Sequence, residues 1–330
     1  MKYSLFLSSS VRTGCEFCTM GLLFTIFFLF PLNAVATPSV VVSLKPLHSL
    51  VAAVMDGVGV PTLIVQGTGS GHGYQLLPDD AKKLADADIV FWIGPQMETF
   101  LVKSLKNLPV STEVIALADV RGMCLLDMRT GGNFEMHHHV HHADGHHAYS
   151  SGESDDSHYK DLHFWLDPKN AEVIIHMIAH VLAKRDPASA QRYSDNAKNY
   201  GKRLHNLIKD IDHDLTPFRG QSFIVFHDAY QYFEKRFGMS AVAAITVSPE
   251  QVPGVKRISQ IRDTVKKLGP VCVFSEPQFE SRLIKTVIEG TGARTGRLDP
   301  LGVAIPAGPD QYLTLIRNLA DSLKDCLGSQ

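Results

Sequence analysis

Short, nearly continuous apolar runs alternate along this chain with longer stretches in which apolar residues recur every three or four positions. Residues 39–44 (SVVVSL), 88–94 (DIVFWIG) and 110–117 lack polar alternation. That suits strands buried on both faces, as in a parallel sheet covered by helices. Helical stretches at 47–55, 78–87 and 98–105 separate them. From 131 to 160 the chain is Gly, Ser, Asp and His with almost no large apolar residue. Such a segment cannot bury enough surface to offset its ordering entropy, so a mobile loop is expected there.

Order resumes at Phe164-Trp165-Leu166-Asp167-Pro168, followed by a helix with Val173, Ile174, Met177, Ile178, Val181 and Leu182 on one side. Asp186-Pro187 stops it. Then Ala190, Tyr193, Ala197, Tyr200, Leu204, Leu207, Ile211 and Leu215 form the stripe of one long amphipathic helix ending near Pro217. A second series follows, with strands expected at 222–226, 241–246, 271–274 and, more weakly, 295–298. Helices are expected at 257–268, 281–289 and 310–327. The fold class is therefore α/β, with two lobes, each a small mostly parallel sheet flanked by helices, joined by one long rigid helix. The expected boundaries are 37–187 for the first lobe, 188–218 for the linking helix and 219–330 for the second lobe.

The first 36 residues read as a secretory signal. Lys2 and Arg12 supply positive charge, residues 21–30 (GLLFTIFFLF) an apolar run, and Ala34-Val35-Ala36 a small-x-small cleavage site. An uncleaved anchor is the alternative, but ten apolar residues fall short of the roughly 20 that cross a bilayer. Cys15 and Cys18 precede the apolar run, so they suit neither lipid attachment nor a mature CxxC site. Cleavage leaves Cys124, Cys272 and Cys326, which permit three pairings in an oxidising compartment. Pairing 272 with 326 is favoured because it would tie the terminal helix to a core strand. Cys124 is then expected to be a buried or inert thiol.

The 330 residues, 45% hydrophobic and 20% charged, carry a formal charge of −2. Nucleic acid is not an expected partner, because phosphate binding needs a basic surplus. Histidine changes the picture: there are sixteen, nine of them between His137 and His163. Three histidines, His163 among them, stand singly where a βα domain presents ligands. His72 lies in the turn Gly69-Ser70-Gly71-His72-Gly73-Tyr74. His163 lies in Asp161-Leu162-His163-Phe164-Trp165-Leu166-Asp167-Pro168. His227 ends an expected strand in Phe226-His227-Asp228-Ala229-Tyr230. Taken one at a time, each reads more readily as structural or exposed.

Residues 37–330 resemble the solute-binding proteins that serve zinc and manganese ABC transporters, most closely the periplasmic zinc-uptake member. The matching segments begin with Ser43-Leu44-Lys45-Pro46, Gly71-His72-Gly73-Tyr74, Ala87-Asp88-Ile89-Val90 and Gly94-Pro95-Gln96-Met97-Glu98. They continue through the His163 and His227 motifs to Glu276-Pro277-Gln278-Phe279 and Leu298-Asp299-Pro300-Leu301-Gly302, in order along the mature chain. The resemblance implies a Zn²⁺ site in a cleft between two lobes, with His72, His163 and His227 as ligands and Asp299 at or near the fourth position. It also implies the Cys272–Cys326 disulfide, a periplasmic location and delivery to the membrane permease of a zinc ABC transporter. A monomer is expected. In one departure, some zinc members carry a glutamate just before the first histidine, where this chain has Gly71. The fourth ligand is then Asp299 or a water.

Three neutral imidazoles and one oxygen make the tetrahedral set that Zn²⁺ favours. Manganese members replace one histidine by a carboxylate, at the place His227 occupies, and harder oxygen ligands suit Mn²⁺. The tract His137, His138, His139, His141, His142, His146 and His147 is a secondary metal loop, expected to bind zinc more weakly than the cleft and to gather it. A solvated tract without a role is its alternative. His176 and His180, spaced i, i+4, lack the glutamate of an HExxH protease and read as surface or packing residues. His48, His205 and His213 read as surface, and Asp228 as a helix cap or an orienting group. No catalytic residue is expected. A zinc-dependent hydrolase would need a general base aimed at a metal-bound water, and no such motif is present. A manganese-binding or adhesin-like relative is the remaining alternative.

Overall fold

The computed structural model describes residues 37–329, apart from 130, 135–159, 247, 248, 250–252, 280 and 281. The expected leader and the seven histidines of the 137–147 tract lie outside the described residues. Strands β1 (Val40–Val42), β2 (Thr62–Leu63), β3 (Ile89–Trp92) and β4 (Glu113–Ala116) form one sheet in the order β2-β1-β3-β4. A second sheet holds β5 (Phe223–His227), β6 (Ala241–Thr246), β7 (Cys272–Ser275) and β8 (Arg294–Arg297) in the order β6-β5-β7-β8. Every pairing is parallel. The two lobes thus repeat one topology, in which the first strand lies between the second and third. Strands β1, β3 and β5 are buried along their whole length, which is why their sequences do not alternate.

In the first lobe, α1 (Lys45–Val54), α2 (Pro78–Ala85) and α3 (Thr99–Lys106) connect the strands. Helix α4 (Pro168–Arg185) starts where the sequence signals it: the Asp167 side chain accepts from Lys169 N at 2.9 Å, and Pro168 occupies the first turn. The long helix is α5 (Ala190–Leu215), about 39 Å at 1.5 Å per residue. Its buried face is Tyr193, Ala197, Tyr200, Leu204, Leu207, Ile211 and Leu215. It packs along α4 and also meets α1, the short helix α6 (Gln231–Phe237) and the terminal helix, so it rests on both lobes.

Helices α7 (Val255–Leu268) and α8 (Arg282–Ile288) cover one face of the second sheet, enclosing a small core that includes Ile224, Phe226, Ile245, Ile261 and Ile284. The terminal helix α9 (Gln311–Leu327) packs on the other side and reaches α1 and α5. The larger core therefore runs through both lobes, which together form one compact unit, Val35–Gln330. Of the three cysteine pairings the sequence allows, the one formed is Cys272–Cys326, joining β7 to α9 with Cα atoms 6.1 Å apart.

Three expectations need correction, and two short elements lie beyond the sequence reading. Neither β2 nor α6 has a sequence run long enough to announce it: β2 is two residues, and α6 is seven residues ended by Gly238 at φ 67°. His48 is buried rather than on the surface, because α1 is packed on nearly all sides, and its Nε2 lies 3.0 Å from the Pro61 carbonyl. Cys124 is exposed, not buried. Asn170 fixes its backbone through both N–H and C=O in an irregular segment, leaving the thiol outward. Asp228 is neither a cap nor an orienting group for a ligand, since it pairs with Arg129, which also bonds Glu234 at 2.8 Å.

Candidate metal centre

Three elements bring the single histidines together. His72 sits in the irregular connection between β2 and α2, its N–H donated to Ser70 Oγ at 3.2 Å. His163 opens a 3₁₀ turn, Phe164–Leu166, ahead of α4. His227 is the last residue of β5, the strand flanked by β6 and β7. That is the switch point of the second sheet, where open α/β sheets place ligands beyond the strand ends. The first lobe thus supplies two rings and the second lobe one.

Their Nε2 atoms converge. His72 Nε2 lies 3.1 Å from His163 Nε2, and His227 Nε2 lies 3.3 Å from the same atom. One ligand atom from each ring falls within 4.8 Å of the others. A tetrahedral Zn²⁺ with bonds of 2.0–2.1 Å separates its donors by about 3.3 Å, so the spacing fits that ion. Burial pushes the His72 imidazole well below its ordinary value, and the neighbouring His163 and His227 add to the shift, so it is neutral at pH 7.

Two carboxylates orient the rings. His163 Nδ1 donates to Asp161 Oδ1 at 2.8 Å, and His227 Nδ1 donates to Glu276 Oε1 at 2.6 Å. A carboxylate can only accept, so the proton is assigned to Nδ1 and the Nε2 lone pair is directed at the ion. The sequence contains both acids within quoted motifs, yet neither has a spacing that reveals its role. Asp161 precedes His163 by two residues, whereas Glu276 reaches His227 only because β5 and β7 are neighbours.

Asp299 is not among the clustered ligand atoms. Its Oδ1 accepts from Gln278 Nε2 (2.8 Å), Gly302 N (2.9 Å) and Leu301 N (3.1 Å), and its Oδ2 from Val303 N (2.7 Å). The carboxylate is turned into its own loop. At Gly71, an added Cβ would sit 3.2 Å from Leu44 Cδ1, so the glutamate seen in some relatives would press on the core. His176, His180, His205 and His213 are exposed, away from the cluster.

The cavity beside the rings measures about 20 Å³. That is room for one ion or one water, not for an organic substrate. Met97, Trp165, Phe279, Pro300 and Leu301 line it with the histidines, a largely apolar wall that strengthens bonds to a cation. Contacts across the cleft hold the wall in place. Trp165 Nε1 donates to Pro300 O (2.9 Å), Tyr312 Oη to Trp165 O (2.6 Å), and Arg236 grips Asp167 with two bonds of 2.7 Å. Lys45 Nζ donates to the carbonyls of Val303 (2.7 Å), Ile305 (2.8 Å) and Gly302 (3.4 Å).

Known proteins resemble the chain along nearly its whole length. The chain is 50% identical over 341 residues to the high-affinity zinc uptake system protein ZnuA of Brucella abortus (strain 2308), covering 98% of each chain. It is 35% identical over 305 residues to the protein of the same name from Yersinia pestis, covering 90% of this chain and 93% of that one. The crystal structure of a ZnuA shares the fold, with a TM-score of 0.73 at 22% identity over 88% of this chain and 99% of the other. A laminin-binding adhesin of Streptococcus agalactiae also shares it, at a TM-score of 0.70 and 24% identity, covering 88% and 99%. Residues 40–326 match the family described as zinc-uptake complex component A, periplasmic, and the chain belongs to that family.

Proposed function

We propose that His72, His163 and His227 together hold one Zn²⁺ in the cleft, and that the protein is the periplasmic zinc-binding component of a zinc uptake system. Such components work with a membrane permease and an ATPase of an ABC transporter. The ion is cargo and leaves chemically unchanged, so the protein is not an enzyme. The observation that carries this reading is the convergence of three imidazoles, with His163 Nε2 at 3.1 and 3.3 Å from the other two Nε2 atoms, and two of the rings oriented by a carboxylate. A cavity of single-ion size weighs against a zinc hydrolase, whose metal must also admit a substrate. Three imidazoles weigh against manganese.

In this reading residues 1–36 are removed on export, and the mature chain acts as a monomer with no nucleic-acid partner. Residues 37–187 and 219–330 are the two lobes, and 188–218 the connection between them. The 131–160 loop, with its seven clustered histidines, gathers zinc weakly and passes it to the cleft. Isothermal titration of protein lacking residues 133–158 tests the assignment. One tight equivalent of zinc should remain, and it should be lost in the same protein carrying His72→Ala. Retention after that substitution would place the ion elsewhere.

A further inference from the structure

Three imidazoles leave a tetrahedral ion one donor short. Asp299 faces away from that position, holding Gln278 and the N–H groups of its own turn. Gln278 has the opposite disposition. Because a carboxylate accepts only, the Gln278 amide must present its NH₂ group to Asp299, which aims Oε1 the other way. That oxygen is buried, has no hydrogen-bond partner among the described residues, and belongs to a side chain lining the same cavity as the three histidines. A buried amide oxygen without a partner is costly and calls for an explanation. A cation, or a water bound to one, supplies the missing partner. Glu276 also leaves one oxygen, Oε2, buried and without a partner among the described residues, but its Oε1 accepts from His227 Nδ1, which points away from Nε2, so this carboxylate is held behind the His227 ring.

Resting on the zinc-site reading above, we propose that the protein oxygen serving the ion's fourth position is the amide oxygen of Gln278, oriented by Asp299, and not a carboxylate oxygen of Asp299. Asp299 acts on the ion at one remove, through the amide it holds. The site then contains no anionic donor. The three imidazoles select for zinc, and one neutral oxygen beside them offers harder ions no carboxylate.

The test is Gln278→Met, which keeps side-chain length and removes the oxygen. In the full mature chain, zinc affinity by chelator competition should fall at least tenfold. The metal-free protein should keep its melting temperature within a few degrees, because loss of an unsatisfied buried acceptor offsets loss of the amide bond to Asp299; a residue needed only for packing would lower that temperature instead. Asp299→Asn keeps an oxygen for Gln278, Leu301 and Gly302, so the visible absorption of its cobalt(II) complex should match wild type. Zinc affinity within twofold of wild type in Gln278→Met would overturn the proposal, as would an altered cobalt spectrum in Asp299→Asn. If Asp299→Asn does not fold, the Gln278→Met pair of measurements still decides. Failure of the zinc-site reading looks different: wild type itself would take up no tight equivalent, or His72→Ala would bind as tightly.

Discussion

At the scale of single residues, the site depends on an imidazole kept neutral by its surroundings. His72 is held well below the ordinary histidine value, chiefly by burial. Above pH 6.5 it is neutral in both folded and unfolded chains. As pH falls below that, the unfolded chain takes a proton that the folded one refuses, so metal-free stability declines. The metal-free wild type should therefore lose more melting temperature between pH 7 and 5 than His72→Gln, and equal losses would count against the assignment. Zinc affinity should drop severely in His72→Ala and stay within twofold in His176→Ala, whose side chain is exposed. Glu98 shows the opposite sign. Fully buried, its carboxyl is raised to about 7 by desolvation, against the N–H groups of Ile93 and Gly94 that favour the charged form. Its folded-state value exceeds the unfolded one, so its contribution to stability is present in acid and lost as pH rises through 7. Glu98→Gln should match wild type near pH 5 and exceed it by up to ~3 kcal/mol at pH 8 in urea unfolding.

At the scale of elements, the loop after β8 is where the lobes are fastened. Asp299 gathers the N–H groups of residues 301–303, Gly302 takes a φ of 63°, and the exposed carbonyls form a cradle for Lys45 at the start of α1. Burial pulls the Lys45 ammonium down from its usual value, and the charge of Asp299 opposes that pull. Lys45→Met leaves these carbonyls without a charged donor and should cost about 1–3 kcal/mol in denaturant unfolding. Gly302→Ala should also destabilise, since a Cβ there would lie 2.4 Å from Gln311 Nε2 on a backbone that L side chains avoid. The Cys272–Cys326 bridge closes a separation of 54 residues between β7 and α9. Replacing both cysteines by alanine should lower stability by roughly 4 kcal/mol in the chain-entropy model, read as a shift of the urea midpoint.

At the scale of the whole molecule, two βα lobes of one topology are held by α5 and α9, each of which packs beyond its own neighbourhood. The architecture was legible because its signals are local. The α5 stripe from Tyr193 to Leu215, the apolar runs of β1, β3 and β5, and the Asp167-Pro168 start of α4 all report burial through nearest neighbours along the chain. Residue types and motif resemblance likewise carried the three histidines. Elements of two to seven residues, such as β2 and α6, are too short for a period to register. Tertiary packing alone decided that His48 lies inside, that Asp228 meets Arg129, that Glu276 orients His227 across two strands, and that Asp299 turns to Gln278 rather than to the rings. Periodicity along a chain records which face of an element avoids water. The direction of a polar side chain is set instead by partners that can stand hundreds of residues away, and only the folded arrangement brings those partners within bonding distance.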